Sequence, residues 1–159
     1  MADKQKPRTY ERREFMTKAG TGVAALAAVG LFAGKAQADA AGVAKAIMAK
    51  IGKKEQKSGR IKIELPQIAE NGNTVPVGFE VDSPMTDDNY VKAVSLFADK
   101  NPVADVATFR FTPGSGKAKV STRMRLRKSQ NVIAVAEMSD GSVYTAKKAV
   151  KVTIGGCGG

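Results

Sequence analysis

The sequence predicts an all-β fold: an immunoglobulin-like antiparallel β-sandwich of about seven strands, with a short N-terminal helix and a flexible Gly-rich C-terminal arm. Three observations predict it. From Arg60 onward the apolar residues recur with a period of two rather than near four. Turn residues interrupt these runs at spacings of roughly eight to twelve residues. The alternating segments fill residues 60–154 without an internal repeat or a second domain.

The elements follow in order. Val43, Ile47 and Ile51 recur every fourth residue, which predicts a short amphipathic helix closed by Gly52. Lys53 to Gly59 is a charged connector, so residues 39–59 form helix plus linker. Ile61, Ile63 and Leu65 alternate first, then Val75, Val77, Phe79 and Val81. Tyr90 to Ala98 makes a third run, and Ala107, Phe109 and Phe111 a fourth. Val120, Thr122, Met124 and Leu126 form the fifth, Asn131–Met138 the sixth, and Ser142–Ile154 the last. Asn71-Gly72 and Asp140-Gly141 both sit between alternating segments, the strongest short signal for a hairpin. Antibody-type landmarks are missing, since the chain has no tryptophan and one cysteine.

Residues 1–38 read as an export leader, to be set apart from the fold. The pair Arg12-Arg13 opens a basic region, Ala19–Ala33 is uncharged and apolar, and Ala36-Gln37-Ala38 is a small-x-small cleavage pattern. Paired arginines specify the twin-arginine route, which places the mature protein in the periplasm. The apolar run is shorter than the ~20 residues that span a bilayer and is rich in Ala and Gly, so cleavage is favoured over a membrane anchor. By their resemblance to known leaders, such segments export proteins already folded, with a cofactor or with a partner aboard. The chain has no histidine and a single cysteine, so the usual soft-metal and haem ligand sets are missing. No metal and no cofactor is expected, and a co-exported partner is the better explanation.

The mature chain keeps 19 basic and 12 acidic side chains, a net charge of +7. Outside the inner membrane this argues against nucleic acid and for anionic substrates or acidic partner surfaces. Arg123, Arg125 and Arg127 alternate with Met124 and Leu126; the ordinary solvated face of a strand explains them, and a docking stripe is the rival reading. Lys147, Lys148 and Lys151 read as guards of an edge strand. The acidic run Asp82–Asp88 lacks the glycine and final glutamate of a calcium loop and reads as a turn.

Chemistry is concentrated in residues 155–159. The last strand runs into Gly155-Gly156-Cys157-Gly158-Gly159, so four glycines surround the one cysteine. From Ile154 to Cys157 such a tether extends about 10 Å, and its slim profile suits a narrow channel. A nucleophilic cysteine needs a base, usually histidine, and the chain has none. An unperturbed thiol titrates near ~8.5. The C-terminal carboxylate at ~7 Å disfavours the thiolate by on the order of 0.5 kcal/mol in water. The tail therefore reads as a presented thiol, activated by whatever site it enters, and not as an enzyme's own nucleophile.

The ending Val152-Thr153-Ile154-Gly155-Gly156-Cys157-Gly158-Gly159 resembles that of the SoxY family, sulfur carriers of the bacterial thiosulfate-oxidising system. So do Ser121-Thr122-Arg123, Arg125-Leu126, Ser129-Gln130 and Met138-Ser139-Asp140-Gly141-Ser142. The resemblance implies a non-catalytic subunit with Cys157 as the covalent attachment point for sulfur. It also implies a smaller immunoglobulin-like partner of the SoxZ type. A c-type cytochrome would load thiosulfate, a hydrolase would release sulfate, and in some organisms a sulfane dehydrogenase would act next. Two rivals stay open: a binding or structural subunit that dimerises through a Cys157 disulfide, and a carrier that holds sulfur as a thiocarboxylate on Gly158-Gly159.

Overall fold

The computed structural model describes residues 40–155. The leader with Arg12 and Arg13, and the tail residues Gly156, Cys157, Gly158 and Gly159, lie outside the described residues. Helix α1 spans Ala40–Ile51, an Ala-rich stretch of good helix formers with Lys50 in its last turn. It stops at Gly52, whose φ of 67° suits glycine and whose N–H donates to the Met48 carbonyl at 2.8 Å. Among the described residues no helix is long and apolar enough to cross a membrane.

Nine strands follow: β1 (Gln56–Lys57), β2 (Ile61–Glu64), β3 (Ile68–Asn71), β4 (Val75–Val81), β5 (Val91–Ala98), β6 (Asp105–Arg110), β7 (Ala118–Met124), β8 (Gln130–Met138) and β9 (Val143–Ile154). The small sheet has the order β2-β4-β7. The large one runs β1-β9-β8-β5-β6, with β3 also paired to β9. The two sheets enclose the main core, in which Phe79 packs against Phe109 and Phe111 with ring centroids 5.5 and 6.4 Å apart. Leu96, Leu126, Val132 and Met138 are fully buried around them.

The sandwich expected from the alternation is present, with differences in strand number, direction and connection. β1 and β3 escape a pattern search because they bury almost nothing: both residues of β1 are exposed, and Ala69 is the one buried residue of β3. Both pair with β9 in parallel, so the large sheet is not wholly antiparallel. The chain thus touches β9, crosses to the small sheet as β2, and returns to β9 as β3. Asp140-Gly141 does make the β8–β9 hairpin, with Gly141 at φ 81°. Asn71-Gly72 does not make a hairpin, because β3 and β4 belong to different sheets. On the side away from β8, β9 is paired at Val143 and Tyr144 by β1 and from Lys151 by β3. Lys151 therefore lies in a paired stretch, whereas Lys147 and Lys148 lie between the two pairings, where Lys148 reaches the Ile63 carbonyl at 3.3 Å.

Helix α1 covers part of the large sheet's outer face. Val43, Ile47 and Ile51 of α1 pack on Phe97, Ala104, Val135 and Val143, forming a second apolar cluster outside the sandwich. Each of the Val, Ile and Phe side chains among them contributes about 1.5–3 kcal/mol of burial. Lys50 adds an ion pair to Asp105 at 2.9 Å.

The hairpin gives a test of pH dependence. The Ser142 hydroxyl donates to Asp140 Oδ1 at 2.6 Å and the Ser142 N–H at 2.8 Å, which holds the Asp140 carboxyl below its ordinary range. A depressed carboxylate stabilises the fold above its unfolded pKa, about 3.9, and that contribution is lost as pH falls through the lower folded value. Asp140→Asn keeps an acceptor and removes the charge. Its Tm should lie below wild type at neutral pH and converge with it in acid; a pH-independent gap would show that the charge is immaterial.

Candidate functional site

The tail leaves from the end of β9, and the surroundings of that end are unusually polar. β8 pairs with β9 as far as Gln130↔Val150 and then ends. Beyond that point Ser129 takes over: its hydroxyl accepts from the Val152 N–H at 2.9 Å and faces the Val152 carbonyl at 3.3 Å. On the other side β3 pairs through Asn71↔Ile154, and the Gly72 N–H donates to the Ile154 carbonyl at 2.7 Å. The Thr153 hydroxyl donates to the Glu70 carbonyl at 2.8 Å. β9 is thus held on the β8 side as far as Val152 and on the β3 side through its last residue.

The segment supplying Ser129 is fixed in turn by two buried polar side chains, Asn101 and Gln130. Asn101 Nδ2 donates to the Arg125 carbonyl at 2.8 Å, and its Oδ1 accepts from the Arg127 N–H at 3.0 Å and from Gln130 Nε2 at 2.9 Å. Gln130 Nε2 also donates to the Lys128 carbonyl at 3.1 Å, while its Oε1 accepts from the Lys100 N–H at 2.8 Å. Leu126, fully buried, pins the same segment to the core and donates its N–H to the Gly72 carbonyl at 2.7 Å. Gly72 therefore ties Ile154 to Leu126 with its own two backbone groups.

Of the arm glycines, Gly155 is described, and it lies against the Arg127 backbone. Gly156, Cys157, Gly158 and Gly159 fall outside the described residues. The arginine stripe is not one strand face: β7 ends at Met124, Arg123 and Arg125 are exposed, and Arg127 is half-buried beside the arm root. An open depression of about 480 Å³ next to the root is lined by Gln67, Lys100, Ser129 and Lys151, among others. Asp82–Asp88 is irregular chain, with Met85 turned inward at φ 54°. Among the described residues no group of three or more His, Cys, Asp or Glu could hold a metal ion.

The sequence reading took Asn71-Gly72 as a hairpin and gave Asn101 no role, and so missed that both serve the arm root. One signal was available. Gln130 stands in phase with Val132, Ala134, Ala136 and Met138, on the core side of β8. A polar residue at a core position requires a buried partner.

Fold and site together define a class: an immunoglobulin-like sandwich whose final strand is fixed to its end and is followed in sequence by a glycine-flanked cysteine. Residues 45–157 match the family described as sulfur oxidation protein SoxY, and the match ends on the cysteine itself. The chain belongs to the SoxY family. It is 36% identical to the sulfur carrier protein SoxY from Chlorobium limicola f. thiosulfatophilum, with a TM-score of 0.62 over 73% of this chain and 100% of that one. A superoxide reductase (neelaredoxin) from Ignicoccus hospitalis is 23% identical, TM-score 0.53, over 59% of this chain and 80% of that one. One from Nanoarchaeum equitans is 17% identical, TM-score 0.51, over 60% and 100%. These two share the fold alone. Comparison with curated proteins gives no match.

Asn101→Ala strips partners from the Arg125 carbonyl, the Arg127 N–H and Gln130 Nε2. It should cost about 1–3 kcal/mol in urea denaturation, and amide exchange should rise first at Arg127 and Val152. A loss below ~0.5 kcal/mol would mean that water replaces the side chain without penalty.

Proposed function

We propose that this protein is a covalent carrier of sulfur intermediates in thiosulfate oxidation, with Cys157 as the attachment point. The observation that supports it most is the SoxY family match, which runs through the sandwich and ends at Cys157. The 36% identity to a sulfur carrier over that chain's whole length agrees with it.

The chemistry divides between this chain and its partners. In loading, the Cys157 sulfur bonds to the outer sulfur of thiosulfate; two electrons pass to a c-type cytochrome and the thiol proton passes to water. The product is a cysteine S-thiosulfonate. A hydrolase then directs water at the terminal sulfone sulfur, which leaves as sulfate while Cys157 keeps a persulfide. Where a sulfane dehydrogenase is present, it oxidises the remaining sulfur. The chain itself offers a nucleophile and no histidine to activate it, which fits a substrate-bearing subunit rather than an enzyme.

Four glycines flank the cysteine, and a backbone without Cβ atoms enters a narrow channel with little obstruction. Lys100, Lys151 and Arg127 around the root favour the approach of an anion such as thiosulfate. A SoxZ-type immunoglobulin-like subunit would accompany this one through twin-arginine export, directed by Arg12-Arg13, to the periplasm.

Intact-protein mass spectrometry tests the reading. The exported, partner-bound protein is exposed to thiosulfate and the sulfur-oxidising extract, with and without reductant. A reductant-sensitive, sulfur-containing adduct should map to Cys157 and be absent from Cys157→Ser. Loading that survives Cys157→Ser would move the sulfur to the terminal diglycine. A covalent dimer with no sulfur adduct would reduce Cys157 to a link between chains.

A further inference from the structure

Flexibility accounts for a run of glycines in general; it does not account for the position of Gly155 in particular. A Cβ placed on Gly155 would stand 2.2 Å from the Arg127 carbonyl oxygen and 3.4 Å from its carbonyl carbon. Separations under 3.0 Å are essentially never adopted by real Cβ atoms. The obstacle is backbone, so it cannot swing aside as a side-chain tip would. That backbone is also anchored: the Arg127 N–H is held by Asn101 Oδ1 at 3.0 Å, and the Lys128 carbonyl by Gln130 at 3.1 Å. Two residues on, Ser129 grips Val152. The first glycine of the tail is thus required by close packing on a braced segment.

We propose that Gly155 and the segment Arg127–Ser129 form a clamp that fixes the root of the carrier arm, so that the reach of Cys157 is counted from Gly155. Asn101, Ser129 and Gln130 are positioning residues that act through this clamp. The use of the clamp rests on the carrier reading of Cys157; its geometry does not. One consequence is a shorter reach. From Gly155 to Cys157 the backbone extends about 7 Å, against about 10 Å from Ile154. A partner's reactive site must come correspondingly close, which places Arg127 and Lys128 at the partner's surface during each transfer.

Gly155→Ala and Gly156→Ala remove the same amount of backbone freedom from the tail, so comparing them separates clamping from flexibility. Three readouts are taken on the full-length, partner-bound protein: hydrogen exchange at the Gly72 and Val152 amides, the carrier concentration giving half-maximal thiosulfate loading, and the reaction of Cys157 with a small disulfide reagent. Gly155→Ala should speed exchange at both amides about tenfold. It should also raise the half-maximal concentration about threefold and leave the small-reagent rate unchanged. Gly156→Ala should leave exchange at both amides at the wild-type rate, and it is compared on exchange alone. Ser129→Ala removes the grip on Val152 without adding bulk; it should act in the same direction as Gly155→Ala and provides the test should that variant fold poorly. Equal exchange in the two glycine variants would overturn the clamp. Faster exchange with unchanged loading would overturn its positioning role. Wild-type protein that takes up no sulfur at all would instead sink the carrier reading, and the exchange comparison would still decide the geometry.

Discussion

The tail can leave the sandwich at a defined place only if β9 keeps its register to its last residue, and the partners of β9 change along its length. β8 serves it up to Val150. After that, every backbone N–H and C=O still needs a partner or water, and the molecule supplies them from elsewhere: a serine hydroxyl at Val152, β3 through Ile154, and Gly72 for the last carbonyl. β3 makes little sense as a core element, since Ala69 alone is buried in it. It makes sense as a strand laid beside β9 where β8 runs out. The crossing of the chain from β1 through β2 to β3 follows from the same need, because both ends of β9 are served by one stretch of sequence.

β9 also joins the two apolar clusters. Val143 lies under α1 with Phe97 and Val135, whereas Val150 belongs to the core between the sheets. Sliding the strand by one residue would turn both out of their clusters and reverse every side chain between them. Opening of the whole strand must therefore work against packing on both of its faces. Its last four residues bury little, and there hydrogen bonds from Ser129, β3 and Gly72 hold the strand, with the buried Asn101 and Gln130 bracing the segment that carries Ser129.

Much of this could be read from residues. The helix followed from Val43, Ile47 and Ile51, all of which are buried, and the sandwich from alternation such as Val75, Val77, Phe79 and Val81. The hairpin at Asp140-Gly141 followed from turn chemistry. What failed were elements made by hydrogen bonds without burial. Gln56–Lys57 has no apolar residue, and in Ile68–Asn71 the isoleucine points outward, so neither leaves a periodic trace. Asn71-Gly72 misled because a dipeptide specifies a bend but not which sheet the next strand joins. Phe97 and Val135, buried out of phase with the sandwich core, were a legible sign that the large sheet is covered on its second face. The clamp at Gly155 could not be read at all, since a glycine needed for close approach and one needed for freedom are the same letter.

That ambiguity bears on how a carrier arm works. Ordering one residue costs about 1–2 kcal/mol, and most for glycine. Every tail residue left free must be ordered each time the arm enters a partner's site, so a long loose arm weakens each encounter. A wholly rigid arm could not serve sites of different shape. Holding Gly155 against the Arg127 backbone removes one residue from that recurring cost, because its order is established on folding, where β9 and the buried Asn101–Gln130 pair support it. A root ordered on folding limits that cost, which explains why so heavily hydrogen-bonded a network lies where β9 ends.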